Sequence, residues 1–507
     1  MPASSPVILV FDLGLTNCKS ILFSADGTIL ARASSSYPTD HPHPGRVEQD
    51  PLDWWRAVCI ATNQLWESHP SLASRVIAVS VTGHMHALVA IGRDGPSFPR
   101  AMVLGDQRSL EEAGQITRDL SQTAIYQITG ARMDASMPAA KIRWLKRNEP
   151  GAFQKSILFT GCKDYIRYLL TGDHFTDPVD ACAMSMYDLR QRSWSPLMIE
   201  SAGASTSQLP VVASPVSVAG ALQRDPAIQL GLKAGTPVVV GSGDDIEVLG
   251  NGLMQAGRSL EHLGTTGSIL TCADHPIYDP EMALELYPHA DPDLWVLGGS
   301  ITSAGAALAW ASCLLGYPNL EEAFSALQTS IYKDGDPPLV FLPHLHGERC
   351  PAWQPSSRGS WIGLTSSHSS QHLMQSAFQG TVFALRQIFD RIESLAGQQE
   401  LLTVSAREDE SEAWLQLRAN IYERPLGLIQ STEPTALGAM ILAAVGLNIY
   451  TDLGSAVENT ARIDQILLPN QENSPSYRRD YFLYQQAQSV LSSYWQVAGG
   501  TDPAAIS

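Results

Sequence analysis

Apolar runs that stop at glycine and acid punctuate the chain. Val7-Ile8-Leu9-Val10-Phe11 is one such run; Asp12-Leu13-Gly14-Leu15-Thr16 turns away from it, Lys19 to Phe23 is a second run, and Ala25-Asp26-Gly27 turns into a third, Thr28 to Ala33. Short apolar runs bounded by turn residues predict strands. The same pattern returns at Val238-Val239-Val240, a β-branched stretch of the kind that fills a buried strand, followed by Gly241-Ser242-Gly243 and the acids Asp244 and Asp245. Those carboxylates are expected at a strand tip, half out of the core, where an acid can accept a proton from a bound hydroxyl. Ser259 to Leu263 and Ser268 to Cys272 read as two further strands, joined by Gly264-Thr265-Thr266-Gly267, whose free amides and hydroxyls suit an anion. Taken singly, each piece is equally a hairpin turn beside an acidic loop. Two strand-turn-strand devices, one heading each half, suggest an internal duplication with a nucleotide between the halves.

Between these landmarks, Asp50 before Pro51 predicts a helix start, with an apolar face through Trp54, Val58 and Thr62. Val76 to Thr82 reads as a buried strand ending in Gly83-His84-Met85-His86. Ligands of sheet-based folds bind at such strand ends, although a capping histidine pair reads as well. Ala101 to Leu104 predicts a strand delivering Asp106-Gln107-Arg108, groups that hydrogen-bond a polyhydroxy ligand or pair with each other. Pro475 to Val497 reads as a last amphipathic helix, and Gly499 to Ser507 as a frayed tail.

Length leaves room for two domains or more, since the chain has 507 residues, 44% of them hydrophobic and 17% charged. The net charge of −18 argues against nucleic acid and anionic membranes as partners. Seven scattered cysteines, none spaced as CxxC, fit reduced thiols. With no signal peptide and no membrane-length apolar run, the expectation is a cytoplasmic protein that neither spans nor binds a membrane.

The segment Ser136-Met137-Pro138-Ala139-Ala140-Lys141-Ile142-Arg143-Trp144-Leu145 resembles the first signature of the FGGY carbohydrate kinases, and Gly359 to Gln379 resembles the second. Lys163-Asp164-Tyr165, Leu170-Thr171-Gly172, Thr176-Asp177, Asp180-Ala181 and Trp194-Ser195 stand in that family's order, as do Ser303-Ala304-Gly305, Phe341-Leu342-Pro343, Gly347-Glu348-Arg349, Glu433, Ala436, Gly438 and Ala439. The similarity runs from about residue 7 to about residue 450 and is nearest to the xylulose kinases.

The resemblance implies an α/β fold of two actin-like (ribonuclease H-like) ATPase domains, roughly 1–246 and 247–507, with a cleft between them. It implies a sugar held mostly by the first domain and MgATP mostly by the second. Asp244 becomes the general base and Asp12 the holder of Mg2+. Met85, His86, Asp106, Asp244 and Asp245 become sugar contacts. Thr16, Lys19, Gly264, Thr265, Thr266, Gly305 and Ser411 become nucleotide contacts, with a solvated strand-edge lysine an equal reading of Lys19. D-xylulose is the first acceptor, against ribulose, glycerol or gluconate; a degenerate sugar-binding protein without turnover is the rival from another class, and a homodimer is left open. Three departures stand out. Leu15 replaces a threonine, His84 replaces a glutamine, and Ser405-Ala406-Arg407-Glu408-Asp409-Glu410-Ser411 replaces the glycine-rich turn that receives the adenosine. Side chains there either obstruct the nucleotide, which gives weak ATP binding or another donor, or point outward as a solvated loop.

Overall fold

The first apolar run becomes the strand Val7–Leu13 inside a six-stranded sheet of a computed structural model that describes residues 6–325, 327, 337–405, 411–470 and 474–499. It pairs antiparallel with Asn17–Ser24 and parallel with Val76–Gly83. Ile29–Ser36 continues the antiparallel side, Pro237–Val239 the parallel side, and Val218–Ala221 closes that edge antiparallel. Asp12 lies in the strand rather than in the turn after it, directly across from Lys19 on one neighbour and Thr82 on the other.

The predicted helix start holds. Asp50 caps Pro51–Ser68 by accepting from the Leu52 N–H at 2.9 Å, and Trp54, Val58 and Thr62 are buried. Trp54 and Val58 join Val7, Leu9, Phe11, Val79, Val81 and Val238 in one core, each such side chain contributing about 1.5–3 kcal/mol of burial. The stretch expected as a strand over Ala101 to Leu104 forms only at Ala101–Met102, paired with Glu48–Gln49.

In chain terms there are two compact units, each assembled from three segments: Met1–Met254, Leu286–Trp295 and Glu433–Arg462, then Gln255–Glu285, Val296–Thr432 and Ile463–Ser507. The second unit repeats the plan of the first. Arg258–Leu263 pairs antiparallel with Gly267–Ala273 and parallel with Leu401–Ser405, which pairs parallel with Leu426–Ile429. Ile463–Leu467 adds an antiparallel edge, and Trp295–Ile301 lies beyond Gly267–Ala273. This is the duplication that the two strand-turn-strand patterns suggested. The core of this unit gathers Ile269, Leu297 and Leu402 with Phe378, Val382, Leu385 and Phe389 of the helix Ser370–Ala396 and with Tyr481 and Tyr484 of the last helix, Ser474–Gly499.

Among the described residues no helix is long and apolar enough to cross a membrane. Residues 406–410, the centre of the unusual turn, and the tail from residue 500 lie outside the described residues.

Candidate active site

The strand Pro237–Val239 ends inside the valine run, and Gly241-Ser242-Gly243 leads into a 3-10 turn, Asp244–Ile246, continued by the helical turn Glu247–Gly250. Asp244 and Asp245 therefore stand at the carboxyl end of a strand, partly exposed. The helix Pro434–Gly446 seats this turn from far along the chain. A Cβ on Gly438 would stand 2.2 Å from the Ile246 carbonyl oxygen, and one on Gly250 would stand 1.9 Å from that of Pro434. Only glycine permits either approach.

A buried ion cluster backs the turn. Ser242 Oγ donates to Asp177 Oδ2 at 2.8 Å, and Lys163 Nζ donates to Asp177 Oδ1 at 2.8 Å and to the Val240 carbonyl at 3.4 Å. Lys163 also stands 3.0 Å from both Asp164 Oδ1 and Asp180 Oδ2.

Met85 packs with Val179 and Ala183 and lies against Gly243, where an added Cβ would meet Met85 Cγ at 2.6 Å. His86 follows with a left-handed backbone, φ +63°, which costs a non-glycine residue of order 1–3 kcal/mol unless the surroundings fix it. Lys141 supplies that fixing. Fully buried in Pro138–Asn148, its Nζ donates to the carbonyls of His86 at 2.8 Å, Val103 at 3.0 Å and Met102 at 3.3 Å. His84 is buried edge-on to Trp54, ring centroids 5.5 Å apart, and burial pushes its imidazole down to about 4, so it is neutral at pH 7.

Of the two readings the sequence left open for Asp106, ligand contact or pairing with its neighbour, the pairing is what forms, buried and not at the surface. It is fully buried; Oδ1 accepts from Arg108 N at 3.1 Å and Nε at 2.8 Å, and Oδ2 accepts from Val47 N and Arg108 Nη2, both at 2.7 Å. Arg108 also pairs with Glu48 at 2.6 Å and lies over the Trp144 ring. With its oxygens so occupied, Asp106 stiffens the wall beside the Met102–Val103 carbonyls that Lys141 grips.

On the amino-terminal strand, burial raises the Asp12 carboxyl to about 6, with Lys19 pulling it down and Glu433 and Glu247 pushing it up. Lys19 is neither loosely solvated nor free: its Nζ donates to Glu433 Oε2 at 2.6 Å, and Arg32 approaches the other oxygen at 3.4 Å. Thr16 and Leu15 are exposed on the loop between the strands, and Gln49 Nε2 holds the Leu15 carbonyl at 2.7 Å. Asp244 is pushed well above the carboxylate range by burial first, then by Asp245, Glu247 and Asp12. Among the described residues no three metal-binding side chains form a cage. Mg2+ needs none, because it keeps several waters and binds through one or two carboxylates and substrate phosphates. Asp12, Asp244 and Glu247 repel one another, a field that a cation would relieve.

In the second unit the Gly264–Thr266 turn meets the start of the helix Gly305–Leu314. Gly305 N–H donates to the Gly264 carbonyl at 2.9 Å, and the amides of Ala304 and Ala306 donate to that of Thr265, each at 3.1 Å. A Cβ on Gly305 would stand 2.5 Å from the Gly264 oxygen. Thr265 and Thr266 are exposed on this turn, beside a helix amino terminus whose positive dipole end favours anions, its first amides being taken up by the turn itself. The structure thus brings Gly264, Thr265, Thr266 and Gly305 together. Ser411 caps another helix, Glu412–Tyr422, accepting from the Trp414 N–H at 3.2 Å.

Sequence reasoning gave no role to Lys141, Lys163, Asp180 or Gly438. The usable signal was a lysine on an otherwise apolar helix face, since lysine is almost never fully buried unless it is paired.

Residues 7–249 match the amino-terminal domain, and residues 262–447 the carboxyl-terminal domain, of the FGGY family of carbohydrate kinases. The chain is 30% identical to xylulose kinase of Escherichia coli, covering 95% of this chain and 99% of that one. It is 28% identical to gluconokinase of Bacillus subtilis, covering 86% of each. The crystal structure of ligand-bound xylulose kinase from Lactobacillus acidophilus superposes with a TM-score of 0.90 at 26% identity, over 97% of this chain and 99% of that one.

Proposed function

The chain belongs to the FGGY family of carbohydrate kinases, and from that premise we propose that it moves the γ-phosphoryl group of ATP onto a hydroxyl of D-xylulose, giving D-xylulose 5-phosphate, in the cytoplasm. One observation carries the reading: Asp244 sits at a strand end, next to the Gly243 that lies against Met85, with a proton affinity raised by burial and by three neighbouring carboxylates. A base of raised affinity is matched to taking a hydroxyl proton near neutral pH.

In this account Asp244 accepts the proton of the attacking hydroxyl while Met85, His86 and Asp245 hold the sugar. Lys141 fixes the His86 backbone and Asp106 the wall beside it. Thr16, Thr265 and Thr266 hold donor phosphates, with Gly264 and Gly305 setting the turn that carries the two threonines, Ser411 stands on the nucleotide side, and Lys19, paired with Glu433, sets the charge around Asp12. Asp12 is the residue that would hold Mg2+ through water, and that ion, when bound, supplies neutralisation of phosphate charge. Phosphoryl transfer asks little more of the protein than alignment and electrostatics.

Gluconokinases stand among the relatives, yet the charges favour a neutral sugar. Gluconate brings a carboxylate, whereas Lys141, Lys163 and Arg108, which brace the walls around the acceptor residues, are each committed to carbonyls or carboxylates. Buried acids without a matching cation repel a charged acceptor.

The test is nucleoside diphosphate formation by the purified protein with ATP and a panel of D-xylulose, ribulose, glycerol and gluconate. D-xylulose should win by a wide margin, because a site built on specific hydroxyls rejects analogues lacking them. A preference for glycerol or gluconate overturns the acceptor, and no sugar-dependent turnover overturns the activity.

A further inference from the structure

Asp180 reaches two neighbourhoods at once from the helical turn Pro178–Ala183. On one side lies the buried cluster, where Lys163 and Arg167 face Asp164, Asp177 and Asp180. Lys163 already donates to Asp177 and to the Val240 carbonyl and lies 3.0 Å from Asp164. Two cations are balanced by two of the three carboxylates. The third is surplus, and a buried surplus acid costs free energy that packing alone does not return.

On the other side lies the acceptor ground. A Cβ on Gly243, the residue before Asp244, would stand 2.8 Å from Asp180 Oδ1 and 2.6 Å from Met85 Cγ. Oδ1 therefore borders the space between Met85 and the Asp244 turn. Lys163 meets Oδ2, while Oδ1 receives no donor from any described residue, in a side chain that is only 10% exposed.

We propose that Asp180 is an acceptor-binding residue that sets specificity, its Oδ1 side hydrogen-bonding a sugar hydroxyl beside the one that Asp244 deprotonates. The inference deepens the sugar-kinase reading and rests on it. Burial drives the Asp180 carboxyl well above the usual range, against the pull of Lys163. A neutral acid can donate as well as accept, and it adds no repulsion toward a phosphorylated product.

The experiment compares wild type, Asp180→Ala and the isosteric Asp180→Asn on D-xylulose and on ketopentoses lacking one hydroxyl each, by kcat/KM and by calorimetry of sugar binding. Wild type should reject one deoxy analogue by about 10- to 100-fold, the worth of a hydrogen bond to a buried acid. In Asp180→Ala the KM for D-xylulose should rise by a similar factor, the KM for ATP should hold, and discrimination against that analogue should collapse, with Asp180→Asn between. A purely structural role would lower melting temperature and kcat and leave the discrimination ratios alone; that result overturns the proposal for Asp180 while leaving the kinase reading standing. A wild type that neither binds nor phosphorylates any ketopentose overturns both.

Discussion

Replacing Asp12 by asparagine should stabilise the protein while disabling it. Burial and the charges of Glu433 and Glu247 raise the Asp12 carboxyl from 3.8 to about 6, so at pH 7 the native state carries a charge that the unfolded chain holds more comfortably. Free energy follows at 1.36 kcal/mol for each tenfold change in proton affinity, about 3 kcal/mol in all. Asp12 is partly exposed, and solvent screening reduces the recoverable amount to about 1–2 kcal/mol. For a unit of this size that is a gain of about 2–6 °C in melting temperature. The sign follows from the raised affinity: the penalty is complete above pH 6, shrinks as pH falls through the folded value, and vanishes below 3.8. The assay is thermal unfolding of both proteins without nucleotide or Mg2+, since either ligand would stabilise the wild type by mass action. Asp12→Asn should melt higher at pH 7, and the difference should fall to about half at pH 5. Equal or lower melting at pH 7, or a gain that does not change with pH, would refute the reasoning.

Three further outcomes are expected. Gly438→Ala places a methyl 2.2 Å from the Ile246 carbonyl; overpacking of this kind costs about 1–3 kcal/mol, and displacing the Asp244 turn should lower kcat in steady-state assays while the KM for ATP holds. Gly305→Ala, whose Cβ would lie 2.5 Å from the Gly264 oxygen, should instead raise the KM for ATP by about tenfold or more with sugar binding intact, because a small misplacement of a phosphate cradle is costly. Asp245→Asn should raise the KM for sugar more than it lowers kcat, the signature of a binding contact.

What was legible in the sequence was what depends on near neighbours. Val238 to Val240, the glycines after them and the Asp244-Asp245 pair declare a strand and its exit, and Gly264 to Gly267 declares a hairpin, because strand period and turn chemistry are local. The duplication followed from the recurrence of that local pattern. Distant closures were not legible. Nothing near Lys19 announces Glu433, the partner 414 positions away, and nothing near Asp244 announces that Gly438 makes its seat. For Asp106 the sequence left a ligand contact and a pairing with its neighbours both open; the Arg108 pairing is local, whereas its burial and the Val47 amide that completes it are tertiary facts. The buried lysines show the same limit: Lys141 and Lys163 lie in recognisable motifs, yet their work is to bind carbonyls and carboxylates that folding alone assembles.

The central claim is that Asp244 takes the proton of a sugar hydroxyl, and sugar-dependent formation of nucleoside diphosphate by Asp244→Asn tests it most directly, with sugar affinity measured beside it by calorimetry. Asparagine keeps the shape and loses the proton acceptor, so turnover should fall by about 10²- to 10⁴-fold while the sugar dissociation constant stays nearly the same. A variant that keeps more than about a tenth of wild-type turnover contradicts the account, since the loss would then lie well below what a general base contributes.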